Sequence, residues 1–283
     1  MLNDLDYADD IALLENTIPR ANAQLNTLSA EARPVGLEIN TDKTECMVIC
    51  PASKADEFAE PLVLNNNQLA RVKNFTYLGA NMQSSFCDMS HRKGKAWAAF
   101  WSLKDIWRAK HIVVALKISI FKIAVLSVFF YGCETWILTR QMEKEIDGFG
   151  TNCLRIILGI KKLDKIPNEL IYAQTGMLEL SRLIKERQLR YLGHTLRIKG
   201  DCEPAKIFAL YTPADNHGSR KRGGQKLRFA DHIENLMPSA CTVESIIADA
   251  QNRTKWRNVV EYQLKRKNDD DGQVKRVKSS KNT

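Results

Sequence analysis

The sequence has no CxxC pair, no internal repeat, no CCHC finger and no charge-free apolar run long enough to span a bilayer. Its seven cysteines are Cys46, Cys50, Cys87, Cys133, Cys153, Cys202 and Cys241. An odd number, several of them inside apolar runs, builds no disulfide framework and points to a reducing compartment. Cys46 and Cys50 read as two positions of one strand, on the same face but well apart, which is poor geometry for a metal. The most apolar stretch, from Ile112 to Leu138, is interrupted by Lys117, Lys122 and Glu134, so a buried helix fits it better than a membrane span. Asp4, Asp6, Asp9 and Asp10 crowd the N-terminus, where a signal peptide carries positive charge followed by an apolar run. Together these absences predict an intracellular protein of the nucleus or cytoplasm, not secreted and not bound to a membrane.

Acidic residues are also in short supply. The 33 Asp and Glu are outnumbered by 42 Lys and Arg, giving a formal net charge of +9 over 283 residues. Such an excess fits a polyanionic partner, of which nucleic acid is the commonest, and it fits equally a basic enzyme without one. Hydrophobic residues make up 44%, enough for a sizeable core.

The patterning changes along the chain and predicts an α+β fold. Leu2 to Leu14 reads strand, tight turn, strand, with Asp9-Asp10 at the turn. Pro19 suits the first turn of a following helix whose inward face is Ala21, Leu25, Leu28 and Ala32, and Pro34 and Gly36 end it. Glu45 to Cys50 is strand-like. Leu62 to Val72 reads as a hairpin turning at Asn65-Asn66-Asn67, and Phe75 to Gly79 as a short strand that ends in a turn. From about Ser90 helical periodicity takes over. Helices are predicted over Arg92 to Trp107, Val113 to Tyr131, Glu143 to Leu158 and Leu180 to Leu196, with Gly159 and Gly200 as stop signals. A glycine-rich basic stretch, Asp215 to Arg228, follows, and beyond Gln263 the composition is that of a disordered charged tail.

Tyr7-Ala8-Asp9-Asp10 carries the sharpest chemistry. Adjacent carboxylates on a hairpin turn repel each other, and a divalent cation between them removes the conflict. Magnesium is hard and takes carboxylate and phosphate oxygens. Two such ions stabilise the attacking and leaving oxygens of an in-line phosphoryl transfer. An acidic, solvated turn is the plainer alternative.

The motifs around the turn resemble the reverse transcriptases of non-LTR (LINE-type) retrotransposons. Residues 4–14, DLDYADDIALL, are similar to the catalytic palm hairpin of that family. Gly36-Leu37-Glu38-Ile39-Asn40-Thr41-Asp42-Lys43-Thr44 resembles the next palm motif, and Phe75-Thr76-Tyr77-Leu78-Gly79 the primer grip. The likeness continues through Tyr131-Gly132-Cys133-Glu134-Thr135-Trp136, Leu154 to Gly159 and Tyr191-Leu192-Gly193-His194.

The resemblance implies the following roles. Asp9 is a ligand of Mg2+, and Asp10 assists beside it. Lys43 approaches the triphosphate as a general acid, although a lysine exposed at the start of a strand accounts for it equally. Phe75, Tyr77, Leu78 and Gly79 support the primer end, a role compatible with ordinary strand packing. Arg220, Lys221, Arg222, Lys226 and Arg228 neutralise phosphates without reading bases, against the alternative of a solvated loop. Partners are an RNA template, a DNA primer and deoxynucleoside triphosphates. The domains implied are a partial palm over 1–89, a helical thumb-like region over 90–200, a basic region over 201–264 and a disordered tail over 265–283.

The family also needs fingers and a further palm aspartate ahead of the hairpin. The resemblance therefore implies a C-terminal part of an RNA-directed DNA polymerase, inactive alone, or else a non-enzymatic nucleic-acid-binding remnant. His194 reads as a satisfied histidine near a helix end, and Trp97, Trp101 and Trp107 as core or interface anchors at helical spacing.

Overall fold

Alternation of short strands with one amphipathic helix, and then helices alone, gives an α+β chain that divides into two units, Met1–Asp88 and Met89–Thr283. The structure is a computed structural model and describes residues 4–50, 56–198, 229–237 and 243–263.

In the first unit, β1 (Asp4–Tyr7) and β2 (Asp10–Leu13) form an antiparallel hairpin with Tyr7 opposite Asp10. Helix α1 (Ile18–Ala32) follows, with proline in its first turn and Leu25 and Ser29 buried. It stops in a short 3-10 turn, Arg33–Val35, closed by Gly36 at φ 78°. A left-handed residue with no Cβ penalty is the usual way out of a helix. β4 (Val63–Leu64) and β5 (Asn67–Gln68) make a second hairpin. Its turn residues, Asn65 and Asn66, have φ of 51° and 64°. Two consecutive left-handed residues are what a tight two-residue turn demands, and asparagine tolerates them best after glycine. Asn22 on α1 accepts from the Val63 N–H at 2.9 Å, and Arg33 donates to Asn65 Oδ1 at 2.7 Å, so this hairpin is pinned to the helix. Leu25, Leu64 and Leu69 form the small core between them.

One expectation from the sequence is revised here. The strand over Glu45 to Cys50 is cut to β3 (Glu45–Cys46), which runs parallel to β6 (Ala70–Arg71). Its ladder ends with Val72 N–H on Cys46 O at 2.9 Å, and Ile49 is 79% exposed. The strands form four separate pairs, three antiparallel and one parallel, among the described residues. The last pair is β7 (Thr76–Tyr77) with β8 (Ala80–Asn81).

The second unit is helical. Helix α2 (Ser85–Ser102) begins earlier than the periodicity predicts because Ser84 Oγ accepts from the Cys87 N–H at 3.2 Å and caps it. It is not continuous to Trp107: the chain breaks at Leu103 and resumes as α3 (Lys104–Arg108). The Trp107 indole donates to Phe100 O at 2.6 Å, occupying a carbonyl of the last turn of α2. Phe100 then stacks on Trp107 at 4.9 Å and meets Trp97 and Phe121 edge-on. Trp101, 47% exposed, lies at the edge of this cluster, stacked on Trp97 and edge-on to Phe100.

The next helical run is α4 (Val114–Ile120), a π-helical stretch over Phe121–Leu126 and α5 (Ser127–Phe129). Lys117, Phe121, Val125 and Phe129 are buried along it at four-residue steps. In an α-helix four residues overshoot a turn by about 40°, so three steps carry a stripe about 120° round the axis. The wider i→i+5 turn takes that drift back and keeps all four side chains on the core. The buried Lys117 amine finds a partner by donating to Trp107 O at 2.8 Å.

Helix α6 (Arg140–Leu158) is capped by Thr139 and closed at Gly159 by paired bonds from Gly159 and Ile160 to Ile156 and Arg155. Helix α7 (Asn168–Thr175) leads to α8 (Leu180–Arg197). Asp147 on α6 accepts from both the N–H and the hydroxyl of Ser181, at 2.9 and 2.7 Å, and so caps the start of α8. The far half of α8 buries Leu189, Leu192 and Leu196 in a second core with α9 (Phe229–Glu234), α10 (Val243–Gln251) and a helical run over 253–263. The motifs Tyr131 to Trp136 and Leu154 to Gly159 are structural here, since Cys133, Trp136, Leu154 and Ile157 are all buried. Among the described residues no helix is long and apolar enough to cross a membrane.

Candidate functional site

The β1–β2 hairpin turns through Ala8 and Asp9 alone, because Tyr7 pairs with Asp10. Ala8 takes φ 56°, a left-handed value that costs a residue with a Cβ roughly 1 kcal/mol. Such a turn places Asp9 at its tip and Asp10 at the first strand position, and both are exposed. Among the described residues neither makes a side-chain hydrogen bond or an ion pair, which leaves hard oxygen donors free for a hard cation. Among the described residues no group of three His, Cys, Asp or Glu converges.

The Phe75 to Gly79 segment is brought to this hairpin. Tyr77 on β7 donates its hydroxyl to Leu5 O at 2.9 Å, with Asp10 O 3.4 Å away. Segments 72 positions apart in sequence thus meet through one hydrogen bond. Leu78 and Gly79 form the turn between β7 and β8 with φ of 46° and 78°, and Phe75 O accepts from the Met82 N–H at 2.9 Å. Glycine is natural at such a position; leucine is strained there.

Lys43 lies in a turn built on Asn40. Asn40 Oδ1 accepts from the N–H groups of Asp42 and Lys43 at 3.0 and 3.1 Å, and its carbonyl accepts from Thr44. Lys43 is exposed, and no hydrogen bond or ion pair joins it to Asp9 or Asp10 among the described residues. Arg220, Lys221, Arg222, Lys226 and Arg228 lie outside the described residues, as does the tail over 265–283.

The second unit carries an open groove of about 820 Å³ between the helical run over residues 114–129 and α8. Lys122, Arg187, Arg190, Tyr191 and His194 line it over an apolar floor. Arg187 is held by Glu134 at 3.4 Å and lies over the Phe130 ring at 5.0 Å; Arg190 pairs with Glu186 at 2.6 Å. His194, in the last turn of α8, is exposed on this groove. The sequence reading missed the two arginines. Their signal was the spacing of 187, 190 and 194 along one helix face.

Titration is perturbed mainly inside the second unit. Burial pushes the Asp147 carboxyl above its usual range, partly offset by the two Ser181 bonds. Burial likewise raises the Cys153 thiol and the Tyr172 phenol. The hydrogen bond from Lys93 holds Glu145 below the ordinary glutamate range.

No protein-family model matches the chain, and no solved structure matches it. It is similar to an uncharacterized transposon-derived protein of Caenorhabditis elegans, 29% identical over 275 residues, which takes in 92% of this chain and 95% of that protein.

Proposed function

We propose that this chain derives from a transposable element and is the portion of a non-LTR retrotransposon reverse transcriptase that runs from the catalytic palm hairpin into the thumb. The domains are then a partial palm over 1–89, a thumb-like helical region over 90–200, a basic region over 201–264 and a charged tail over 265–283. One observation carries the reading: Asp9 at the tip of a two-residue turn and Asp10 next to it at the start of β2 are both exposed. The primer-grip-like hairpin hydrogen-bonded to the strands of that hairpin supports it, as does similarity along most of the chain to a transposon-derived protein. In the whole polymerase Asp9 and Asp10 would hold Mg2+ together with a carboxylate from a neighbouring strand, and the metal would supply Lewis-acid stabilisation to nucleotidyl transfer. Tyr77, Leu78 and Gly79 border the site, and Lys43 assists as a general acid. RNA template, DNA primer and deoxynucleoside triphosphates are the partners.

The test is primer extension on an RNA template with Mg2+, comparing the chain alone with the chain joined to the fingers and first palm strand of a matching polymerase. The chain alone is expected to extend nothing. The joined protein extends, and Asp9→Asn abolishes extension because an amide is no anionic ligand. Lys43→Ala slows it by about 10²–10⁴-fold, the usual worth of a general acid. Full activity of the joined Asp9→Asn protein overturns the assignment. The alternative, a nucleic-acid-binding remnant without catalysis, is favoured by the net charge of +9 and predicts salt-sensitive binding with no extension in either form.

A further inference from the structure

The outward face of α8 interleaves cations with rings. Arg187, Arg190, Tyr191 and His194 are all exposed, and their spacing along the helix puts them on one side of it. That side lines the open groove of about 820 Å³, a volume in the range of ligand sites, and Lys122 stands exposed on the facing wall. Leu126, Phe130 and Leu183 supply an apolar floor. Each arginine is held by a carboxylate and is still open to solvent. The Arg187 side chain is 47% exposed against 26% for Glu134, and that of Arg190 is 61% exposed against 25% for Glu186. The carboxylate is the covered end of both pairs, so an incoming ligand meets the cations first. Each pair is made through one terminal nitrogen, which leaves a guanidinium further N–H donors for an anion. Arg187 is also seated over the Phe130 ring at 5.0 Å. A tethered planar fork loses little freedom on meeting a phosphate, whose oxygens it matches better than an ammonium does.

Tyr191, 37% exposed, sits among these cations. A cationic groove with an exposed ring and an apolar floor suits a single nucleic-acid strand, because cations follow the phosphates while rings stack on the bases. A duplex keeps its base faces covered and can use only the cations. An acidic peptide likewise has no flat base to lay on the ring. We propose that this groove binds a single strand of RNA or DNA without regard to sequence, with Lys122, Arg187 and Arg190 on phosphates and Tyr191 stacked on a base. The site lies in the second unit and uses none of the residues assigned to nucleotidyl transfer, so it stands whether or not the polymerase reading holds.

The test uses the full chain and a labelled strand of about 12 nucleotides carrying iodouracil, long enough to cover one such groove. Ultraviolet crosslinking and peptide mapping are expected to place the joined base on Tyr191 or His194. Crosslinks confined to other segments, the basic stretch over 215–228 included, overturn the proposal, and this result comes from the unsubstituted chain. Anisotropy titrations then compare substitutions at exposed positions. Tyr191→Leu removes the ring and should weaken single-strand binding by roughly 5–100-fold, the worth of one stacked base, and duplex binding much less. Lys122→Gln combined with Arg190→Gln should flatten the log–log salt slope for the single strand by about 1.4, two contacts at about 0.7 each. Equal losses for strand and duplex in Tyr191→Leu, or wild-type binding of the strand, overturn the proposal. Polyglutamate that displaces the strand from the wild type while Tyr191→Leu binds it normally would make the groove a site for an acidic protein segment instead. Primer extension decides the catalytic reading separately.

Discussion

Trp256 lies so close over Gly193 that a Cβ placed there would fall 2.1 Å from the indole Nε1. The indole is fixed at that height by donating to Leu189 O at 2.9 Å, one turn earlier on α8. The glycine of the Tyr191-Leu192-Gly193-His194 motif is thus a seat for a tryptophan 63 residues later, a matter of packing rather than catalysis.

Gly193→Ala should accordingly destabilise the second unit by about 1–3 kcal/mol, the usual cost of overfilling a packed site. Urea unfolding followed by tryptophan fluorescence measures it. Pairing it with Trp256→Phe, a smaller ring, should give a loss smaller than the sum of the two singles. Strict additivity would mean that the two side chains do not meet.

Gln188 is fully buried and spends its amide on the turn after Gly132. It donates to Cys133 O at 3.2 Å and to Trp136 O at 2.7 Å, and its oxygen faces His232 Nε2 at 2.9 Å. Gln188→Met keeps the volume and removes these bonds from a dry site, at a cost of about 1–3 kcal/mol. A melting temperature equal to that of the wild type would contradict the network.

Asp147 makes the second unit's stability depend on pH in an unusual direction. Its folded pKa lies above its ordinary value of 3.8, so the folded chain holds this proton more tightly than the unfolded chain. Its contribution is therefore fully present below 3.8 and is lost as pH rises through the raised folded value. Other carboxylates titrate in the same window, so the quantity to follow is the stability difference from Asp147→Asn. Relative to that variant the wild type should gain as pH falls through the window, as measured by chemical unfolding at several pH values. A difference that grows in the opposite sense would show Asp147 to be stabilised as the carboxylate.

Binding to an RNA–DNA duplex should be weak and steeply salt-dependent. Replacing Arg220, Lys221, Arg222 and Lys226 by Ala should flatten the log–log salt slope by roughly 0.7–0.9 for each phosphate contact removed. An unchanged slope would take that segment out of the interface and leave Lys122, Arg187 and Arg190 as the cations to test next.

What the sequence made legible were features decided locally. Asn65-Asn66 announced its turn because asparagine tolerates the left-handed backbone that a two-residue hairpin needs. The inward face of α1 followed from periodicity, with Leu25 buried and Ala21, Leu28 and Ala32 half-buried. Gly159 read correctly as a stop. The paired aspartates were placed at a hairpin turn; Asp9 stands there, and Asp10 opens the strand that follows. What was not legible is decided at a distance. The break at Leu103 depends on an indole from Trp107 taking a carbonyl of the previous helix. The shortness of β3 depends on where its parallel partner stops. The grip of Tyr77 on the hairpin spans 72 residues, and the bond from Gln188 to His232 spans 44. No window of neighbouring residues encodes those distances.

The wide turn over Phe121–Leu126 has a bearing on how this chain tolerates change in length. An i→i+5 turn accommodates one residue more than the α-helix around it would hold. Removing a single residue there would restore uniform winding without breaking the rod, because the buried stripe would then step by four, three and four residues and stay on one face. Val125 and Phe129 would remain on the core side with Lys117 and Phe121. In this segment the loss of one codon would do less harm than elsewhere in the rod, and relatives of this chain can be expected to differ here by one residue.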